Sequence, residues 1–303
     1  MKSSRKVKDY DLLSGYSFFI PGPSGIFVLT LLFLVGALIG NVIAAIFMLA
    51  MGGAGQDYMM LVSYPVMFIP PMMYALGKSR GNALFDKGCR IDSRHFGGLG
   101  AAVCCALVVL ATLCTAFIMD IFNSMMPEMP EWLENTLKSM TQGKFWVNFL
   151  CVSVFAPFFE EWLCRGMVLR GLLNYKRANS EESREYGIKP VWAIIISALF
   201  FAVIHLNPWQ ALPAFALGCL FGYVYYKTGS LWLTMLMHFT NNTFALILGN
   251  IDSLKDYDNF IDALSVQVYS GAALVCAAVL FFALRKISSI RTESVSGNCD
   301  IIE

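Results

Sequence analysis

The sequence predicts an all-α, polytopic membrane helix bundle of about eight transmembrane helices, with both termini in the cytoplasm. Composition is the first observation behind this. Of 303 residues, 57% are hydrophobic and only 14% charged, with a mean hydropathy of +0.61, whereas a soluble domain carries about 25% charged residues. The second is a series of apolar runs close to the ~20 residues that an α-helix needs to cross a bilayer. The third is a one-sided distribution of lysine and arginine.

The opening stretch MKSSRKVKDYDLLSGYSFFIP is polar and basic, then mixed. No short apolar region with a small-residue cleavage site follows it, so a removable signal peptide is not expected. Apolar runs then fall at about 25–51, 58–77, 99–122, 146–173, 191–206, 209–226, 231–249 and 268–284. Each is predicted to be a helix, because a backbone in lipid must satisfy its hydrogen bonds within its own segment. The fifth and sixth runs are short and separated by Asn207-Pro208, which reads as a tight helical hairpin. The stretch 127–143 carries Trp132, Leu133 and Leu137 at helical spacing. It is either a short amphipathic helix on the interface or a polar loop. The chain divides into an N-terminal segment with helices one to three (1–145), a core of helices four to seven (146–250), and a last helix with its tail (251–303).

Charge sets the orientation. Seventeen of the 22 lysines and arginines lie at the N-terminus, in the second and fourth loops, at Lys227 and in the tail, against three (Lys138, Lys144, Lys255) on the opposite side. Such an excess marks the cytoplasmic face. Arg165 and Arg170 fall within the fourth run, and Arg170 is expected to snorkel to the cytoplasmic interface. His95 lies in a basic loop, where a solvated role is expected. The net charge of +1 gives no basic surface for nucleic acid. Nine cysteines are present without a CxxC pair. Seven sit inside apolar runs and read as small packing residues.

Ionisable groups within a bilayer cost on the order of 2.5–3.5 kcal/mol each, so they mark pairing or chemistry. The fourth run holds Glu160, Glu161 and Arg165; the fifth ends with His205; the seventh holds His238, Asn241 and Asn242. Glu161 and Arg165 are four apart with the glutamate first, the favourable order for an ion pair. Glu160 is turned about 100° away and is left for other work. His238 and Asn242 share a face, as do Phe201 and His205. A carboxylate, two imidazoles and a carboxamide suit activation of water, with Glu160 as general base. The imidazoles and amide would hold a metal or steady an oxyanion. Two histidines and one glutamate meet the three-ligand count of a catalytic zinc. One difficulty stands: helical rise puts His205 about 10 Å from the depth of His238.

These residues carry a resemblance. EEWLCR (Glu160 to Arg165), FAVIH (Phe201 to His205) and HFTNN (His238 to Asn242) are similar to the EExxxR, FxxxH and HxxxN motifs of the CPBP family. That family groups CAAX-type prenyl endopeptidases with bacteriocin-processing and immunity proteins. RGMVLRGLL and KTGSLWLTMLMH also resemble its flanking text, and the likeness spans about 150–245. It implies an intramembrane endopeptidase in which Glu160 activates water, while Glu161 and Arg165 orient the site. His205, His238 and Asn242 would polarise the substrate carbonyl. If the enzyme uses a metal, Zn2+ or another divalent ion, they would bind it together with Glu160. The family reading leaves metal-dependent and metal-free glutamate mechanisms open. Expected partners are the lipid bilayer and a membrane-associated peptide or protein tail, and a bacterial source would place the chain in the plasma membrane. A non-enzymatic scaffold or immunity protein of the same fold is the main alternative, and a proton-coupled transporter a weaker one.

Overall fold

The structure, a computed structural model, describes residues 12–52, 55, 58–86, 88–135, 144–179, 188–251, 259–290 and 301–302. It is an all-α membrane helix bundle, with helices at all eight expected positions. They are α1 (Pro23–Met51), α2 (Met59–Asn82), α3 (Gly100–Ser124), α4, α5 (Pro190–Val203), α6 (Pro208–Thr228), α7 (Leu231–Leu248) and α8 (Val266–Ser288). The rod α4 is built of consecutive stretches, Phe145–Asn148, Phe149–Phe155, Ala156–Glu161, Trp162–Leu169 and Arg170–Asn179, of which the second and fourth have π pitch. Among the described residues the only strand pairing joins Gly88–Cys89 to Ile301–Ile302.

Five helices, α1, α2, α3, α4 and α8, are long and apolar enough to span a membrane. The other three are not, and the reasons differ. The 14 residues of α5 rise only about 21 Å. Both α6 and α7 have adequate length, but Gln210 and Lys227 in one and His238, Asn241 and Asn242 in the other dilute their hydropathy. The outer surface is apolar, with Leu38, Leu49, Met73, Leu274 and Phe281 exposed. That is the arrangement of a body solvated by lipid rather than water.

Helices α1 and α2 approach very closely. A Cβ added at Gly36 would stand 2.2 Å from the Met67 carbonyl oxygen, and one at Gly40 would stand 2.6 Å from that of Ser63. The Met67 carbonyl is available for such contact because Pro70 and Pro71, at the helical acceptor spacings, carry no N–H. The Gly-xxx-Gly pair thus seats α1 on a stretch of α2 whose own ladder is interrupted. Phe33 and Phe68 join the two helices, and Phe68 stacks on Phe159 of α4 at 5.0 Å. A second core joins Cys104, Val108 and Ala111 of α3 to Val224 of α6, Met237 of α7 and Ile287 of α8.

Several expectations change. Arg170 does not snorkel; it is 1% exposed. Its five N–H groups are spent on backbone carbonyls: Nε on Gly166 (2.7 Å), Nη1 on Cys89 (2.5 Å) and Ser17 (3.5 Å), Nη2 on Phe19 (2.6 Å) and Tyr16 (3.2 Å). The segment before α1 folds back over the end of α4 and supplies three of these acceptors, so the guanidinium need not seek water. His95 is half-buried, with its backbone N–H on the Thr228 carbonyl. The seven apolar-run cysteines are free thiols, whereas Cys89, outside those runs, is disulfide-bonded. Residues 131–135 are helical, with Trp132 exposed and Leu133 buried; the rest of the proposed interfacial helix, 136–143, lies outside the described residues.

Candidate functional site

The centre of the site is the α-helical turn Ala156–Glu161 between the two π stretches of α4. Insertions of π pitch are frequent at functional sites because they shift side chains out of the regular register. The adjacent glutamates face different partners. Glu161 is fully buried and its Oε1 accepts from Arg165 Nη1 at 2.8 Å, with the expected spacing of four. The same oxygen accepts from His238 Nδ1 at 3.0 Å. A carboxylate can only accept, so in that contact Nδ1 carries a proton, and Nε2 points away from Glu161. His238 Nε2 lies 3.9 Å from Glu160 Oε2. One imidazole therefore spans both glutamates, tethered to one and facing the other.

Arg165 closes this network from behind. Its Nη2 donates to the Gly218 carbonyl of α6 at 3.1 Å. Its guanidinium lies 4.5 Å from the centre of the Phe201 ring and 5.3 Å from that of Phe221. Such contacts offset part of the cost of burying the cation. Glycine at 218 lets α6 sit close to α5, since a Cβ there would meet Ala198 at 3.0 Å, and it would stand 3.4 Å from Arg165 Nη2.

The second histidine is placed differently. The sequence put His205 inside its helix, but α5 ends at Val203. The residue before a proline resists helical geometry; Asn207 is extended, and Leu206 turns the chain with φ 57°. Asn207 caps α6 by accepting from the Gln210 N–H at 2.9 Å and donates to the His205 carbonyl at 3.0 Å. His205 Nδ1 pairs with the Phe201 carbonyl at 2.8 Å. The Phe201 ring stands edge-on to both imidazoles, 5.0 Å from His205 and 5.4 Å from His238. The Phe201 ring is thus a neighbour that the two imidazoles share. Among the described residues no hydrogen bond or ion pair joins His205 to Glu160 or His238.

Asn242 spends its amide on the scaffold. Its Nδ2 donates to the Val152 carbonyl at 2.8 Å, and its Oδ1 accepts from Asn241 at 3.1 Å. Val152 lies in the first π stretch, where its partner would be residue 157. Pro157 has no N–H to give, so Asn242 satisfies a carbonyl that α4 itself cannot. The start of α7 is held by Asp92, whose Oδ1 accepts from the Leu231 N–H at 2.7 Å. This carboxylate at a helix N-terminus complements the dipole and fixes where His238 begins its climb.

One participant was missed in the sequence. Tyr64 of α2 donates its phenol proton to Glu160 Oε1. A tyrosine beside Ser63 in the apolar first half of α2 was the available signal, but nothing in its neighbourhood carries a motif. Glu160 Oε2, by contrast, is buried and without a hydrogen-bond partner. A cavity of about 600 Å³, lined by Thr115, Cys219, Tyr223, Leu284 and Arg285 among others, lies on the opposite face of α6 and does not include this site.

The metal reading can be tested against these positions. Among the described residues, no three His, Cys, Asp or Glu side chains converge as a metal site. Glu160 and His238 offer two donors; His205 Nδ1 is engaged with the Phe201 carbonyl, and the Asn242 amide is engaged at both ends. The residues as placed do not fit a three-ligand catalytic zinc.

The fold and this site define a class: an integral membrane helix bundle with a buried glutamate–histidine–arginine network. Residues 142–244, from the start of α4 through most of α7, match the family model described as Type II CAAX prenyl endopeptidase Rce1-like. The matched segment is about a third of the chain and contains all the motif residues; the family points to intramembrane protease activity on peptides or proteins in a bilayer. No curated protein and no solved structure matches the chain.

Proposed function

We propose that the protein is an intramembrane endopeptidase that hydrolyses peptide bonds of membrane-associated peptides or protein tails, with Glu160 activating the water. One observation carries the reading: a buried carboxylate oxygen without a partner faces a tethered imidazole within the segment that matches an endopeptidase family. A water about 2.8 Å from each of Glu160 Oε2 and His238 Nε2 would sit at the apex of their 3.9 Å separation, donating one hydrogen to each. Glu160 takes a proton as the water oxygen bonds to the scissile carbonyl carbon. The C–N bond then breaks, and Glu160 returns the proton to the departing amine. Glu161 and Arg165 hold the imidazole in the tautomer this step needs. His205 and Asn242 shape the chamber from either side. No step is routed through a metal.

Full-length protein in lipid nanodiscs would be given two quenched-fluorescent probes, a farnesylated CAAX-type peptide and an unprenylated apolar peptide. Cleavage of either, reduced at least about a hundredfold by Glu160→Gln and retained after dialysis against a strong chelator, is the expected outcome. Full-rate cleavage by Glu160→Gln would falsify the hydrolase reading. Loss on chelation with recovery on Zn2+ would overturn the metal-free step. Absence of cleavage of any probe by the intact protein favours a scaffold role, a reading to which His205 and Asn242, both engaged with backbone, lend some support.

A further inference from the structure

We infer that Tyr64 is a positioning residue for Glu160, and that the α1–α2 pair, outside the family-matched segment, is therefore part of the site. The inference rests on the endopeptidase reading and deepens it.

The two oxygens of Glu160 are inequivalent. Oε1 is taken by the Tyr64 hydroxyl. Oε2 has no partner and lies nearest His238 Nε2. A glutamate's terminal torsion is broad and roughly two-fold, so an untethered carboxylate would swap its oxygens and swing its plane. The phenol removes that freedom. It leaves one defined oxygen, with its lone pairs free, aimed at the position where a water can reach the imidazole. Glu161 does the same for His238 from the other side. Each member of the reacting pair is thus held by one outside group, Glu160 by Tyr64 and His238 by Glu161.

The phenol is itself fixed by features that serve no evident purpose in the matched segment. Tyr64 lies between Ser63 and Met67, the residues whose carbonyls receive Gly40 and Gly36 of α1. Pro70 and Pro71 free the Met67 carbonyl for that contact. The Tyr64 ring packs on Phe68 at 5.6 Å, which stacks in turn on Phe159, the residue preceding Glu160. The position of the phenol oxygen therefore depends on α1, α2 and α4 together. The Tyr64 hydroxyl spans from α2 to α4 and ends on the reacting carboxylate.

Two measurements test the inference. Tyr64→Phe keeps the ring and its packing. In the nanodisc assay it should lower kcat about ten- to a hundredfold, as loss of orientation at the reacting group does, with KM changed less than about twofold. A purely structural tyrosine would leave kcat intact or change both constants through loss of folded protein. Independently of turnover, 3-fluorotyrosine at position 64 should give a 19F resonance that moves on Glu160→Gln, while the same label at Tyr74 does not respond. An unmoved resonance overturns the inference whichever way hydrolysis turns out, as does full kcat in Tyr64→Phe. If the resonance moves but no intact protein cleaves a probe, the tether stands and the endopeptidase reading falls.

Discussion

The polar residues buried in this bundle solve two different problems. Arg165 meets a carboxylate and two aromatic faces, whereas the acceptors of Arg170 are five backbone carbonyls. A guanidinium has five N–H groups in a fixed fork, so five carbonyls match it completely, and a lysine's three rotating donors cannot. Arg170→Lys should therefore leave buried carbonyls unpaired at about 1–3 kcal/mol each. Thermal unfolding in detergent should show a destabilisation of at least about 2 kcal/mol, with protease access gained first in the segment before α1. An unchanged melting curve would mean that this segment is held by its buried side chains Leu13, Tyr16 and Phe19 alone. The spacing rules made Glu161–Arg165 legible, because a pair four apart on one helix is local information. Arg170 was misread because four of its five acceptors lie 81 to 154 residues away, in segments whose return to α4 no local pattern announces.

At the scale of elements, the same division between local and non-local holds. Eight helices followed from apolar runs, and the α5–α6 hairpin from Asn207-Pro208. The π stretches of α4 did not, since pitch depends on which N–H is missing and what replaces it. Asn242 stood out in the sequence as a buried amide and Pro157 did not, and only their meeting across α4 and α7 shows that the amide serves the Val152 carbonyl. The α1–α2 seam belongs to this class as well. A Cβ at Gly36 would overlap backbone at 2.2 Å, while one at Gly77 meets nothing within 4 Å. Gly36→Val should destabilise the protein by about 1–3 kcal/mol through overpacking and should also depress cleavage by displacing Tyr64. Gly77→Ala should leave cleavage intact and stability equal or slightly raised. Equal behaviour of the two variants would show that the seam tolerates separation and that α2 is placed by α4 instead.

At the scale of the whole molecule, the two ends of the bundle differ in charge, and the difference bears on how a substrate reaches Glu160. Lys78, Arg80, Arg90, Arg94, Lys189, Lys227, Arg285 and Lys286 gather at one end; Glu128, Glu131 and Glu134 lie at the other, where α3 leads towards α4. Glu160 stands near the middle of the 31-residue span Phe145–Tyr175, so on the proposed mechanism a scissile bond would enter the bilayer to be cut. The chain's excess of basic residues at one end supports an orientation with that end, and both termini, in the cytoplasm. A fluorescent protein fused after Glu303 should fold and emit, and alkaline phosphatase fused there should be inactive. The same pair inserted after Met126, at the acidic end of α3, should give the opposite result. If the phosphatase is active at the C-terminus and inactive after Met126, the orientation is reversed. The acidic end would then face the cytoplasm, and peptide tails would approach Glu160 from the side of the carboxylates rather than from the side of lysine and arginine. The sign of the tail's own charge would then favour the opposite substrates, because like charges at the entrance raise the cost of approach.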